Sequence, residues 1–160
     1  MRILVTGSSR GIGRAISLKL AKSGASLALC ASAPSAELSS IVAECAAQGA
    51  QALPLTGDLS DRATPAKLVE AAVAQLGGLD AVVSNAGVVA PALLAELKEE
   101  DWDRIFSINV RSNWLLARAA YPHLKAAGGG TETRLYEPGT NLFKRVALTV
   151  LGVLPVEWMM

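Results

Sequence analysis

The sequence has few of the residues that mark metalloproteins, disulfide-rich secreted domains or nucleic-acid-binding proteins. It contains two cysteines and one histidine in 160 residues, and its formal net charge is only +1. His123 has no cluster of cysteines or carboxylates at metal-ligand spacing around it. Interspersed charges of both signs create no field that would attract nucleic acid or an anionic membrane. We therefore predict no metal site, no nucleic-acid partner and no membrane partner.

Long apolar runs are also missing. Residues 146–156 form an apolar stretch of 11 residues, whereas a membrane-spanning helix needs about 20. Residues 1–5 are too short an apolar opening for a secretory signal. The spacing of Cys30 and Cys45 does not call for a disulfide. We expect a soluble cytoplasmic protein with two buried thiols.

The sequence does contain short β-branched runs that alternate with longer helical periods. Strands are predicted at residues 3–6, 27–31, 51–55 and 79–83, and helices begin near residues 12, 35 and 64. Glycines follow each of these helices, and a further helical segment runs from Leu97 to the glycines at 128–130. This alternation predicts an α/β fold with a mostly parallel sheet.

A glycine-rich turn joins the first predicted strand to the first predicted helix. It reads Thr-Gly-Ser-Ser-Arg-Gly-Ile-Gly over residues 6–13. Glycines permit a tight turn and close backbone approach, and the free N–H groups of a helix start favour an anion such as a pyrophosphate. A turn without a ligand is the alternative, but the strand–turn–helix context favours a phosphate site. The residues predicted to contact a dinucleotide here are Gly7, Ser9, Arg10, Gly11, Ile12 and Gly13.

The turn has companions further along the chain, in Asp58, in Ser-Asn-Ala-Gly at residues 84–87, and in Asn109. With them the sequence resembles the short-chain dehydrogenase/reductase family. The resemblance implies a Rossmann-type three-layer domain over residues 1–130 and an NAD(P)-dependent oxidoreductase that moves hydride between its cofactor and a carbonyl or alcohol substrate. Residues 131–160 have no visible counterpart in the family. We expect them to form an atypical C-terminal segment of the same domain. Because the rest of the family's pattern is missing from these residues, we expect the domain to be truncated relative to the family.

The resemblance also assigns roles to the companion residues. Asp58 and Leu59 would hold the adenine ring, although a turn or capping role for Asp58 beside Ser60 remains an alternative. Asn85, Ala86 and Gly87 would line the cofactor and brace the sheet; an ordinary turn after the strand is the alternative.

Two features bear on the choice of cofactor. Sites that prefer NAD usually carry an acid after the second strand, which bonds the ribose 2′-hydroxyl. Residues 30–33 read Cys-Ala-Ser-Ala and contain no acid. Arg10 resembles a basic residue that reads the 2′-phosphate in many family members, so NADP is predicted over NAD. The alternative for Arg10 is a solvated loop charge.

The catalytic residues are harder to place. In the family a serine, a tyrosine and a lysine act together with the asparagine that matches Asn109. Tyr121 and Lys125 have the family's Tyr-x-x-x-Lys spacing, but Tyr121 follows Asn109 by twelve residues on one predicted helix, about 18 Å along its axis. Tyr136 and Lys144 have the wrong spacing. Cofactor binding is therefore predicted more firmly than turnover.

Three functions fit these observations. The first is an active oxidoreductase, the second an inactive NADP-binding module or shortened family member, and the third an interaction protein that uses the long helix. Trp102 and Trp114 lie on an apolar stripe of that helix, which in relatives commonly packs between subunits; packing within the monomer is the competing interpretation. We expect a homo-oligomer.

Overall fold

The computed structural model describes residues 1–128, in which four parallel strands form a single sheet. The strand order is β3-β2-β1-β4, and Val5 in the centre is aligned with Leu29 on one side and Val83 on the other. The strands are β1 (Arg2–Thr6), β2 (Ser26–Ala31), β3 (Ala52–Thr56) and β4 (Ala81–Val83). The predicted α/β class and parallel sheet are confirmed.

Three helices connect the strands, namely α1 (Gly11–Lys22), α2 (Ala36–Ala47) and α3 (Thr64–Leu76). Local signals set their ends. The Ser35 hydroxyl caps α2 by accepting a hydrogen bond from the backbone N–H of Leu38 at 3.2 Å. Gly77 ends α3 in the left-handed conformation, with φ of 73°, which glycine adopts without strain.

The last helical segment is longer and less regular. A 3₁₀ turn (Leu94–Glu96) precedes α4 (Glu99–Phe106), and a π-helical turn (Ser107–Arg111) joins α4 to α5 (Ser112–Ala126). π turns leave a backbone carbonyl out of the regular ladder and are frequent at functional sites. Asn109 lies within this turn.

The sheet is covered on both faces, so the domain has the three layers expected of a Rossmann-type fold. Helices α1 and α2 pack on one face, and α3 and α5 on the other. One core contains Ile3, Val5, Leu27, Leu29, Leu38, Ile41 and Cys45, and the other contains Leu4, Ala28, Cys30, Leu68, Val69, Ala72 and Leu116. Both cysteines are free and buried, as predicted.

The predicted apolar stripe of the last helical segment is only partly buried. Ile108, Leu116 and Ala120 face the core. By contrast, Trp102 and Trp114 are 48% and 52% exposed, so the interpretation that they pack in the monomer core is wrong for the described chain. The reason is geometric: a helix with apolar residues around most of its circumference can turn only one face to the sheet.

Ile12, one of the residues predicted to contact a dinucleotide, is 69% exposed in the first turn of α1. Several other predictions concern residues outside the described range, namely Tyr136, Lys144 and the apolar run at 146–156. Within residues 1–128, no helix combines the length and apolar character needed to cross a membrane.

Candidate functional site

A cleft of about 640 Å³ opens at the carboxyl ends of the four strands. Parallel α/β sheets bind ligands at this edge, where the chain leaves each strand for its helix. Each strand contributes residues directly after its end: Gly7, Ser9 and Arg10 after β1, Ser32, Ser35 and Glu37 after β2, Asp58 and Leu59 after β3, and Asn85, Ala86, Gly87 and Val88 after β4. The cleft thereby brings together the start of the glycine turn, Asp58 with Leu59, and the loop at residues 85–87, whereas residues 11–13 are not among the described residues that line it.

The glycine turn depends on three glycines for different reasons. Gly7 and Gly11 have φ of 63° and 57°, in the left-handed region that favours glycine. No atom of residues 1–128 lies within 4 Å of a Cβ built on Gly11, so in this part of the chain the backbone there is open to a ligand. A Cβ on Gly13 would overlap the carbonyl oxygen of Gly7 and would lie 2.5 Å from Nδ2 of Asn85. Gly13 therefore allows α1 to pack against the turn.

The amino end of α1 fits a phosphate. Its N-cap residue is Arg10, and none of the side chains that the structure describes caps the helix. The first N–H groups of a helix have no partner within the helix and carry a partial positive charge. The first turn contains no acidic residue that would compete for these groups. An anion such as a pyrophosphate would complete this helix end.

Asn85 ties the loop after β4 to the glycine turn. Its side-chain amide donates to the carbonyl oxygens of Thr6 at 3.2 Å and Gly7 at 3.0 Å. In the other direction, the Thr6 hydroxyl oxygen accepts from the backbone N–H groups of Asn85 and Ala86, both at 3.1 Å. The loop at residues 85–87 is thus more than an ordinary turn after a strand, because it holds the glycine turn in position.

Asn109 supports the same loop from behind. Its Oδ1 accepts from the backbone N–H of Val88 at 2.9 Å, and its Nδ2 donates to the Val88 carbonyl at 2.8 Å. Asn113, one turn later, donates to the Asn109 carbonyl at 2.7 Å and accepts a short hydrogen bond from the Ser84 hydroxyl. Asn109 is not among the described residues that line the cleft. In this structure it positions the loop.

Asp58 makes the turn contact that was considered from sequence and also lines the cleft. Its carboxylate accepts from the backbone N–H of Ser60 at 2.9 Å, which is the turn role. It also lines the cleft next to Leu59. The Ser60 N–H lowers the pKa of Asp58 below its ordinary value, and the positive charge of Arg104 adds to this effect. The group is therefore an ionised acceptor at neutral pH.

Two charged residues of the cleft were not predicted from the sequence. Glu37 lies in the first turn of α2 and Arg104 on α4, and both line the cleft. Glu37 lies beyond residues 30–33, the stretch directly after the second strand on which the predicted cofactor choice depends. Its position two residues after a serine N-cap was the available signal, because the first turn of the helix after β2 points its side chains toward the same edge of the sheet.

The remaining titratable residues lie elsewhere or are unreactive. Tyr121 is on α5, one turn before Lys125, whose Nζ lies 6.0 Å from the centre of the tyrosine ring. Neither residue lines the cleft in the described chain. Cys30 does line it, but burial raises the pKa of its thiol to about 12. Its thiol is therefore protonated at neutral pH and is no nucleophile.

Comparison with known proteins gives the class that this fold and cleft define. The family model for short chain dehydrogenases matches residues 1–131. A short chain dehydrogenase/reductase of Aspergillus aculeatus, AacuN, is 44% identical over 125 residues, which cover 78% of this chain and 47% of AacuN. The chain belongs to the short-chain dehydrogenase family, and it spans about half the length of the curated relatives it matches.

Solved structures agree. A blue fluorescent protein from a metagenomic library, crystallised with NADPH, is 36% identical with a TM-score of 0.71; the match covers 75% of this chain and 49% of that one. An NADH-dependent reductase, A1-R′, in complex with NAD is 31% identical with a TM-score of 0.74; here the match covers 79% of this chain and 53% of that one. The structural relatives therefore include proteins with either dinucleotide.

Proposed function

We propose that this chain binds NADP(H) and belongs to an oxidoreductase that transfers hydride between this cofactor and a carbonyl or alcohol substrate. The observation that carries the proposal is the uncapped amino end of α1 beside the open backbone of Gly11. Arg10, the N-cap residue of α1, lines the cleft together with Asp58 and the loop at residues 85–87. Nucleotide-binding family membership supports the same conclusion.

Each part of the cleft suits one part of a dinucleotide. The N–H groups of residues 11–13 would bind the pyrophosphate. Asp58 and Leu59 would hold the adenine, and the loop of Asn85, Ala86 and Gly87 would lie along the nicotinamide half. When bound, the nicotinamide supplies the hydride chemistry. Asn109 would act by fixing this loop through Val88.

The preference for NADP over NAD rests on Arg10. In the described chain its guanidinium makes no salt bridge, since the two salt bridges are Arg2–Asp80 and Arg14–Glu44. It lines the cleft together with Ser32, Ser35 and Glu37, which follow β2 in the region where the ribose would lie. A guanidinium with unengaged donors is well suited to a 2′-phosphate.

Calorimetric titration of the full chain with NADPH and NADH tests the proposal. We expect saturable binding of both, tighter for NADPH. Gly11→Ala and Gly24→Ala form a matched pair, because both residues have positive φ and neither has an atom near a built Cβ. Gly11→Ala should lose binding while Gly24→Ala retains it. Absence of saturation with both cofactors at millimolar concentration would refute the proposal.

A second candidate is a module that holds the cofactor without turnover. It is favoured by the position of Asn109 behind the loop and by the absence of Tyr121 and Lys125 from the cleft of the described chain. NADPH oxidation with a panel of carbonyl substrates separates the two. Binding without oxidation of NADPH by any member of the panel would favour the module.

We further propose that the chain forms a homo-oligomer through the exposed stripe of α4 and α5. Trp102, Phe106, Val110 and Trp114 recur at four-residue spacing, and the first two rings stack with centroids 4.3 Å apart. Charges of both signs, Asp103 and Arg111, border this stripe, so a two-fold copy could pair them. Sedimentation of Trp114→Glu tests this: the variant should sediment as a smaller species than the wild type.

A further inference from the structure

Two arginine–glutamate pairs of different kinds are formed by residues of α1 and its N-cap with residues of α2. Arg14 and Glu44 form a salt bridge away from the cleft. Arg10 and Glu37 both line the cleft, yet they form no salt bridge with each other in the described chain. Arg14 and Glu44 are thus paired with each other. Arg10 and Glu37, which we call the open pair, instead line the cleft that a ligand would occupy.

The open pair lies where the chain leaves β2. Ser32 and Ser35 line the cleft beside it, and Glu37 follows in the first turn of α2. In Rossmann sites this region meets the adenosine ribose, so an NADPH 2′-phosphate would enter it. A phosphate there is attracted to Arg10 and repelled by a carboxylate. The two residues therefore act in opposite directions on the same group.

Glu37 carries its charge at neutral pH. Hydrogen bonds from its own backbone N–H and from the Ser35 hydroxyl lower its pKa, and the positive charge of Arg10 adds to the effect. The side chain is exposed, so solvent and salt screen its field and the effect on a ligand is modest. This charge is fixed near the cleft because Glu37 sits on a capped helix rather than on a loose loop.

We propose that Glu37 is a specificity-determining residue whose carboxylate opposes the cofactor's 2′-phosphate and so limits the preference that Arg10 gives to NADPH over NADH. The proposal rests on the proposed cofactor binding. It predicts that this chain prefers NADPH over NADH less strongly than the same site would without the Glu37 carboxylate. NADH has a hydroxyl in place of the 2′-phosphate. The Glu37 charge should therefore leave the affinity for NADH unchanged or raise it slightly.

The test is titration of the full chain and of Glu37→Gln with NADPH and NADH. The ratio of the NADH Kd to the NADPH Kd should rise about three- to tenfold in the variant. Adenosine 2′,5′-bisphosphate and adenosine 5′-monophosphate should give the same shift, because they too differ only by the 2′-phosphate. The rise should shrink as ionic strength increases from about 0.05 to about 0.5 M.

Glu44→Gln is the matched control, since it removes a carboxylate from the same helix outside the cleft. It should leave the ratio within about twofold of the wild type. Glu37→Ala serves as the second variant if Glu37→Gln does not fold. If the wild type binds the cofactors, two results would overturn this inference alone. The first is a ratio of the NADH Kd to the NADPH Kd that does not change when the Glu37 carboxylate is lost. The second is an equal change of that ratio in Glu44→Gln. Failure of the wild type to bind either cofactor would overturn the proposed function as well.

Discussion

Asn109 holds both backbone polar groups of Val88, accepting from its N–H at 2.9 Å and donating to its carbonyl at 2.8 Å. A neighbouring β-strand would make the same two hydrogen bonds with Val88 through its backbone, but here a side chain makes them. It fixes the loop after β4 against the π turn between α4 and α5. The geometry of the cleft therefore depends on a residue that does not line it.

Replacing Asn109 by alanine should destabilise the protein by about 1–3 kcal/mol, because two hydrogen bonds are lost and the Val88 groups are partly buried. Urea unfolding measures the change, and NADPH affinity should fall with it. Ser39→Ala, an exposed hydroxyl on α2, is the control and should stay within about 0.5 kcal/mol of the wild type. Equal stability of the two variants would contradict the positioning role.

Replacing Gly13 by alanine should be more costly than the usual glycine substitution. The new methyl would overlap the Gly7 carbonyl and crowd Asn85, so α1 must move away from the turn. We expect a loss of about 3 kcal/mol or more. Gly49→Ala, which has open space but φ of 84°, should cost only about 1–2 kcal/mol. If Gly49→Ala proved the more damaging in thermal or urea unfolding, close helix–turn packing would not be the constraint.

Asp80 should make stability depend on acid pH. Arg2 donates to its carboxylate from the side chain, with Nη2–Oδ1 of 2.6 Å, and from the backbone N–H at 2.7 Å. These bonds lower the pKa of Asp80 from 3.8 to about 2. A lowered folded-state pKa stabilises the protein above the unfolded value, and this stability is lost as pH falls from about 4 to about 2.

Unfolding midpoints of the wild type and Asp80→Asn should therefore differ at pH 6 and converge toward pH 2. The comparison cancels the contributions of the other carboxylates, which both proteins share. If the difference between the two midpoints stays constant over this range, the interaction with Arg2 does not depend on the charge of Asp80.

Tyr121→Phe should leave NADPH affinity unchanged, and any turnover as well. Tyr121 sits on α5, three turns beyond the π turn that holds Asn109, and does not line the cleft in the described chain. Twelve residues correspond to about 18 Å along a helix. Loss of turnover with unchanged NADPH affinity would instead assign the tyrosine a catalytic role.

Much of the fold was predictable because its signals are local. The periods of α1, α2 and α3, the cap at Ser35 and the glycine at position 77 placed these helices to within a few residues. The alternation of strand and helix predicted a parallel sheet, since crossover connections favour parallel neighbours. The sequence left open whether the stripe of α4 and α5 packs within the monomer or between subunits, because the hydrophobic period reports which residues share a face and says nothing about what covers that face.

The sequence by itself determined the glycine turn between β1 and α1, because a strand, three spaced glycines and a helix start are contiguous in the chain and the turn depends on backbone conformation. Only the tertiary structure decided that Glu37 shares the cleft with Arg10 and that Asn109 acts on Val88. These residues are far apart along the chain, and their contacts depend on how the helices rotate and pack on the sheet. Such rotations follow from the burial of whole faces, which no short segment encodes alone.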